Sequence, residues 1–307
     1  MCSETRRGFI TVATGRELYF KMAHNLLLSY RYHAKTPVPF AILCDRQNEW
    51  TADFDQVVII DRPANSYFDK MRILDLSPFD ETIFIDADSL IYRDLTPLWD
   101  LFKDGPDVGV LGTVLPLDDG TGWWDIQNLG ELGGRVDYKI MCQGGIYYVR
   151  NSGKDLPAFI ETCRFIEKHY LEYHFRLFED SFSDEMIISL ASCVHHFKPM
   201  KDWVDVFAFY PDVRLVDQDI LSGTLVFDWH RYVDRLYRDS FLIHFGTINV
   251  LNRWEYKKEV FKLKRGGISL SNFGEFCLLW LSHRQKKVLK TIKEKVFNNE
   301  YSLEIYH

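Results

Sequence analysis

Asp86 and Asp88 close an apolar run, TIFIDADSL (Thr82 to Leu90), with one small residue, Ala87, between them. Two carboxylates this near repel each other unless a cation sits between them. Hard oxygen donors of this type suit Mg²⁺ or Mn²⁺, ions that in turn neutralise phosphate groups. The alternative for an isolated D-x-D is a turn with two solvated side chains. The buried strand directly ahead of it argues for placement, since core positions are used to deliver the pair. The same pattern also admits a strand-end Asp acting as a phosphatase nucleophile, so the cation is one of two chemistries open at this point. The neighbouring histidines His195 and His196 lack a third ligand at metal spacing and read as structural. No G-x-S-x-G and no G-x-x-x-x-G-K-[ST] occurs, which disfavours a hydrolase elbow and a P-loop.

Such carboxylates need a scaffold, and the hydrophobic periods supply one. FITVAT (Phe9 to Thr14) is a strand-like run, and the apolar residues Leu18, Met22, Leu26 and Tyr30 after it recur every four positions, as on a helix. FAILCD (Phe40 to Asp45) and QVVII (Gln56 to Ile60) are continuous apolar runs of strand length, as expected of strands covered on both faces. Tyr67 to Leu76 reads as a helix. VGVLGT (Val108 to Thr113), GIYYVR (Gly145 to Arg150) and FLIHFG (Phe241 to Gly246) read as further strands. Asp155 and Pro157 open a helix that carries Leu156, Phe159, Ile160, Cys163, Ile166 and Tyr170 on one face. A shorter helix follows Ser183. Alternating strands and helices predict an open, mainly parallel α/β sheet whose ligand lies beyond the carboxyl ends of the strands. The site is then expected among the strand exits: Thr14 to Arg16, Asp45, Asp86 to Asp88, Gln143 to Gly145, and His244 to Gly246.

The chain of 307 residues is 47% apolar and carries a net charge of −7, which permits a full core and argues against a general nucleic-acid binder. No apolar stretch reaches the ~20 residues that span a bilayer, and the first residues do not read as a secretory signal, so a cytoplasmic protein is expected. The six cysteines form no C-x-x-C pair and read as reduced, buried thiols.

Over Phe9 to Gly246, and most closely over YFDKMRILDLSPFDETIFIDADSLIYRDLTPLW (Tyr67 to Trp99), the sequence resembles the GT-A glycosyltransferases, in particular family 8 and the glycogenin-like group. In that group a Lys on a helix precedes a strand ending in D-x-D, and Leu-Trp or Leu-Phe follows. Lys70, Asp86, Asp88, Leu98 and Trp99 match those places. The resemblance implies a GT-A-like (Rossmann-like) mixed, mainly parallel sheet flanked by helices. It implies that Asp86 and Asp88 hold Mn²⁺ or Mg²⁺ on the diphosphate of a UDP-sugar, with Lys70 near the donor. Ala13, Thr14 and Gly15, with Tyr19 beyond, are similar to the family's nucleotide-base edge. Gln143, Gly144 and Gly145 stand where the family's N-S-G strand lines the donor sugar, and the two glycines are expected to let a ligand approach the backbone. Asp184 and Glu185 match the start of the D-Q-x-x-L-N helix, with Glu185 where Gln is usual. Either of them is the residue expected to face the donor sugar. His244 in HFG matches the H-F-x-G segment, with Gly246 at its end, and is expected as the third metal ligand. The Lys-Pro-Trp that usually follows is absent, so Arg253 or Lys257 would have to supply the cation on that side.

The expectation is therefore a metal-dependent transferase that moves a sugar, with retention, from a UDP-sugar to a glycan, lipid-linked or protein acceptor. The rivals are a haloacid-dehalogenase-like phosphatase and a non-catalytic nucleotide-sugar-binding protein. Residues 1–265 are expected as the catalytic domain and 266–307 as a helical, basic extension. Val114 to Met141 is expected as the acceptor-side loop, with Trp123 and Trp124 stacking on sugar. Arg284 to Phe297 carries six basic residues against Glu294, and Val288, Leu289, Ile292 and Val296 share a stripe, the pattern of a helix lying on an anionic membrane.

Overall fold

The computed structural model describes residues 5–175, 183–229, 235–246 and 249–287. The chain forms two compact units, Met1–Thr247 and Ile248–His307.

In the first unit, β1 (Arg7–Ala13), β2 (Phe40–Cys44), β3 (Gln56–Ile59) and β4 (Glu81–Ile85) join β6 (Val108–Leu115) and β7 (Lys139–Arg150) in a six-stranded sheet of order β3-β2-β1-β4-β7-β6. The first four strands are parallel, and β7 runs antiparallel to both β4 and β6. Alternate residues of β1 show why both faces are apolar. Phe9 packs its ring against Tyr30, Phe40 and Trp99, beside α1 (Glu17–His33) and α3 (Pro97–Phe102). Ile10 joins the opposite core, which contains Phe159, Cys163 and Ile166 of α4 (Leu156–Lys168) and Met186 to Leu190 of α5 (Asp184–Val194). The face expected for α4 is buried at Leu156, Phe159, Cys163, Ile166 and Tyr170. The described cysteines are free, and all but the half-buried Cys277 are buried.

Four local expectations are corrected. QVVII is not covered on both faces: β3 is the sheet's edge strand, and Ile59 is 48% exposed. Tyr67 to Leu76 is a 3-10 helix, Tyr67–Arg72, that relaxes into one α-turn, α2 (Ile73–Leu76). The strand through Thr82 to Leu90 is broken at the aspartates: β4 stops at Ile85, and β5 (Ser89–Ile91) belongs to a different sheet. GIYYVR is only the second half of β7, so Gln143 to Gly145 lie inside a strand rather than at its exit.

The other sheet, β5-β12-β8, pairs β12 (Leu242–His244) antiparallel with β5 and parallel with β8 (Phe207–Phe209). A three-stranded meander of β9 (Val213–Asp219), β10 (Thr224–Trp229) and β11 (Leu236–Tyr237) completes the unit.

The second unit contains α6 (Trp254–Arg265) and a helix, α7, over 273–287. Trp254 and Phe261 both pack on Phe276, and Arg265 pairs with Glu275 at 2.7 Å. These contacts join α6 to α7 within the second unit. Residues 288–297 of the expected basic amphipathic helix lie outside the described residues. Among the described residues, no helix is long and apolar enough to cross a membrane.

Candidate active site

The turn after β4 explains how the aspartates come together. The β4–β7 ladder runs one step past the strand, where the Asp86 N–H donates to the Gly145 carbonyl at 3.0 Å. The Ser89 N–H then donates to the Asp86 carbonyl at 3.1 Å, which turns the chain over the small, 3% exposed Ala87 and into β5. Because β12 pairs with β5 in the register His244↔Ser89, and the Phe245 N–H donates to the Asp88 carbonyl at 3.2 Å, the imidazole is delivered beside both carboxylates. His244 Nε2 lies 3.1 Å from Asp88 Oδ1 and 3.3 Å from Asp86 Oδ2. One ligand atom from each of the three residues falls within 4.8 Å of the others. Two carboxylate oxygens and one imidazole nitrogen form a donor set that suits Mn²⁺ or Mg²⁺. His244 Nδ1 is buried without a hydrogen-bond partner, so the ring is held by packing against Phe207, Phe209 and the Gly145 backbone instead of by an acceptor.

Lys70 belongs to the same cluster. Ser66 caps the 3-10 helix by accepting from the Phe68 N–H, and the helix carries Lys70 Nζ to 2.5 Å from Asp86 Oδ2 and 3.7 Å from Asp184 Oδ1. Burial opposes charge on both members of the main pair, yet attraction overrides it. Asp184 and Asp86 raise Lys70, and Lys70 and His244 hold the Asp86 carboxyl well below the usual carboxylate range. His244 is likewise lifted against burial, to about 10, by Asp88 and Asp86. In the absence of a cation the imidazole therefore keeps its proton and offsets part of the carboxylate charge.

Asp184 and Glu185, adjacent at the start of α5, face different surroundings. Asp184 is 2% exposed, accepts from the Tyr147 hydroxyl at 2.8 Å and lies behind Lys70; burial raises its carboxyl. Glu185 is half-buried and accepts from the Gly144 N–H at 2.6 Å. Burial, reinforced by Asp184, pushes it up to about 7. The glycines beneath them have their space filled from within the protein. A Cβ on Gly144 would meet Glu185 Cγ at 2.9 Å, and one on Gly145 would meet His244 Nδ1 at 2.8 Å. On their Cα side they admit the site's own side chains. Gln143 alternates onto the Gly145 face and is 6% exposed, with Oε1 lacking a partner.

Around β1, Ala13 is buried, and the Thr14 hydroxyl donates to Asp69 at 2.6 Å. Gly15 takes a left-handed φ of 73°, and its N–H donates to Asp45 at 3.2 Å. The Tyr19 phenol is raised chiefly by burial, and Asp86 and Asp88 add to the effect, which puts it within electrostatic reach of the acidic pair. Gly246 follows His244 with φ of 57°. Sequence reasoning missed Asp69 and Tyr147. Asp69 is 3% exposed and also accepts from the Ala64 and Asn65 N–H groups, so it ties the exit of β1 to the segment that carries Lys70. Its spacing from Ser66, S-x-x-D, is a capping-box signal that could have drawn notice. The suggested aromatic platform is corrected at Trp124, which is 1% exposed with its indole N–H on Ser189 and is therefore core. The Trp123 N–H donates to the Cys142 carbonyl. His195 bonds Thr162 and takes no part in the cluster.

No family model matches the sequence, and no curated protein matches it. Its fold is shared with solved glycosyltransferases. The galactosyltransferase LgtC, solved with donor and acceptor sugar analogues, is 14% identical and aligns over 87% of this chain and 99% of its own, with a TM-score of 0.52. The bifunctional glycosyltransferase WbbM is 11% identical over 88% of this chain, with a TM-score of 0.51; this chain spans 53% of that one. The chain thus has a GT-A-like glycosyltransferase fold, with an Asp-Asp-His cluster compatible with a divalent metal at the carboxyl edge of its parallel strands.

Proposed function

We propose that the chain is a glycosyltransferase that moves a sugar, with retention, from a UDP-sugar to a glycan, lipid-linked or protein acceptor, with Mn²⁺ or Mg²⁺ held by Asp86, Asp88 and His244. The observation that carries this reading is the convergence of those three donors within 4.8 Å at a strand-exit turn. A bound cation of this kind supplies charge neutralisation for the diphosphate as it departs. Lys70, held cationic between Asp86 and Asp184, adds a fixed positive charge at the same edge, and Tyr147 keeps Asp184 in place behind it. Glu185 is assigned to the donor sugar, because its carboxyl is half-buried at the Gly144 N–H whereas Asp184 is closed off. The shared fold with LgtC and WbbM favours transfer over the phosphatase alternative, in which Asp86 would attack phosphorus; here Lys70 and His244 both engage the Asp86 carboxylate.

A thermal-shift screen of UDP and GDP with and without Mn²⁺, followed by UDP release from UDP-hexoses, tests the reading. A nucleotide present at about 100 times its Kd adds about 2.7 kcal/mol of stability. A shift with UDP that requires Mn²⁺ and disappears in Asp86→Asn or Asp88→Asn is expected. Hydrolysis of p-nitrophenyl phosphate without any response to UDP would return the site to the phosphatase class. UDP binding without turnover on any donor would make it a binding protein.

A further inference from the structure

One of the two ring nitrogens of His244 has no partner. Nε2 faces Asp88 and Asp86, whereas Nδ1 is buried without a hydrogen bond. An imidazole that ligates a cation through Nε2 carries its proton on Nδ1, and such ligands almost always hand that N–H to an oxygen that fixes the orientation of the ring. The strand register supplies an oxygen. β12 and β5 pair His244 with Ser89, and the ladder bonds on either side run from the Phe245 N–H to the Asp88 carbonyl at 3.2 Å and from the Tyr92 N–H to the Phe241 carbonyl at 2.8 Å. Bonded pairs alternate with unbonded ones in an antiparallel ladder, so 89–244 is an unbonded pair, the kind whose side chains stand closest. The Cβ atoms of directly opposed residues are about 4.5–5.5 Å apart, on one face of the sheet. His244 is in ring contact with Phe207 and Phe209 of β8, and both the Phe207 ring and His244 Nδ1 abut Gly145 of β7. Ser89 thus shares the layer that encloses the imidazole.

Ser89 is fully buried, and its hydroxyl has no hydrogen-bond partner either. Packing alone does not call for a serine there, since alanine would fill almost the same space and leave no polar atom in the core. The two unpaired atoms are complementary, an N–H donor and a hydroxyl acceptor, and on the Ser89 side the hydroxyl adjusts by rotation about a single bond. Gln143 Oε1 is a further buried oxygen without a partner, on the Gly145 face of β7. It is the more distant candidate, because two residues of strand separate Gln143 from Gly145 by about 7 Å.

We propose that Ser89 is a positioning residue of the metal centre: its hydroxyl, directly or through one shared water, accepts from His244 Nδ1–H and holds the imidazole with Nε2 towards the cation. The inference rests on the metal reading of the Asp86–Asp88–His244 cluster and adds an outer partner to it.

The test uses the full chain and two measurements that need no sugar transfer. Mn²⁺ affinity is read from the paramagnetic resonance of the free ion, and the His244 Nδ1–H proton is followed by NMR in chain carrying isotope-labelled histidine and saturated with Mg²⁺. Ser89→Ala should weaken Mn²⁺ binding about tenfold or more. It should also move the Nδ1–H resonance upfield and speed its exchange with water. The same variant should melt without metal at the same or a higher temperature, because it deletes a buried hydroxyl that no group satisfies there. A residue that serves packing alone would show the opposite pattern, a lower metal-free melting temperature with an unaltered resonance. Ser89→Thr keeps the hydroxyl and should restore most of the affinity; where its extra methyl prevents folding, the alanine variant and the resonance decide. Mn²⁺ affinity in Ser89→Ala within about twofold of the unaltered chain overturns the proposal, as it lies well below the loss expected of an outer-partner change. So does a resonance that survives Ser89→Ala and is lost in Gln143→Met, which would make Gln143 the acceptor. Absence of Mn²⁺ binding by the unaltered chain would instead overturn the metal reading itself, and the positioning role with it.

Discussion

Cation uptake at the Asp86–Asp88–His244 cluster should release a proton. Without a cation the two carboxylates hold the imidazolium up to about 10, against an ordinary 6.5, and His244 must surrender that proton before Nε2 can ligate. The apparent Mn²⁺ affinity should therefore rise about tenfold per pH unit between about pH 6.5 and 8.5, with close to one proton released per ion bound. Folding stability carries the same linkage with a definite sign. The folded-state value is raised, so His244 contributes its full stabilisation below pH 6.5 and loses it as pH climbs towards about 10. The shift corresponds to at most about 5 kcal/mol. The free protein should thus lose melting temperature across that window, and the Mn²⁺-loaded protein should lose less. Titration of free Mn²⁺ by its paramagnetic resonance signal at several pH values reads the affinity, and calorimetry in buffers of different ionisation enthalpy counts the protons. In His244→Gln, which fills similar space without titrating, the affinity should fall and its pH slope should flatten. An affinity that ignores pH in the unaltered chain, or an unchanged slope in His244→Gln, would refute the assignment of His244 as both proton holder and ligand.

Other changes separate the roles of neighbouring residues. Asp184→Ala should cost about 3–5 kcal/mol, because it leaves the Lys70 ammonium buried with one partner fewer, and it should be visible as a lowered melting temperature without any ligand. Glu185→Gln should be much milder in stability, since an amide oxygen can still accept from the Gly144 N–H, yet among folded protein it should lower UDP-hexose turnover more than Asp184→Asn does; the reverse order of turnover would move the donor-facing role to Asp184. Gly145→Ala should weaken Mn²⁺ binding and cost about 1–3 kcal/mol of stability, as its Cβ would press on His244 Nδ1 at 2.8 Å and on the buried Phe207 ring at 3.1 Å and tilt the imidazole; unaltered metal affinity would show that the ring has room to yield. Tyr147→Phe should destabilise the chain by about 1–3 kcal/mol by stripping a donor from the buried Asp184 carboxylate, which a urea titration would measure.

How much of this was readable beforehand depends on the range of the interaction involved. The apolar runs of β1, β2 and β4 and the face of α4 follow from local periodicity, and they were legible because burial repeats along the chain. The Asp pair was legible because Ile83 to Ile85 precede it directly. The break after Ile85 was not, since it depends on β5 leaving for a sheet whose central strand, β12, lies some 150 residues away. That pairing is also what brings His244 to Asp88, so the third donor could be suggested by resemblance but could not be derived from spacing. The same reasoning applies to Gly144 and Gly145. A missing Cβ announces a close approach, yet the approaching group is set by α5 and β12, and here it is Glu185 and His244. Trp124 differs from its neighbour Trp123 only in the direction taken by the chain between β6 and β7, which local composition does not record. Residue type told what chemistry the site can hold. The non-local strand pairing decides which side chains meet there, and it leaves Glu185 half-open where it shuts Asp184 behind Lys70.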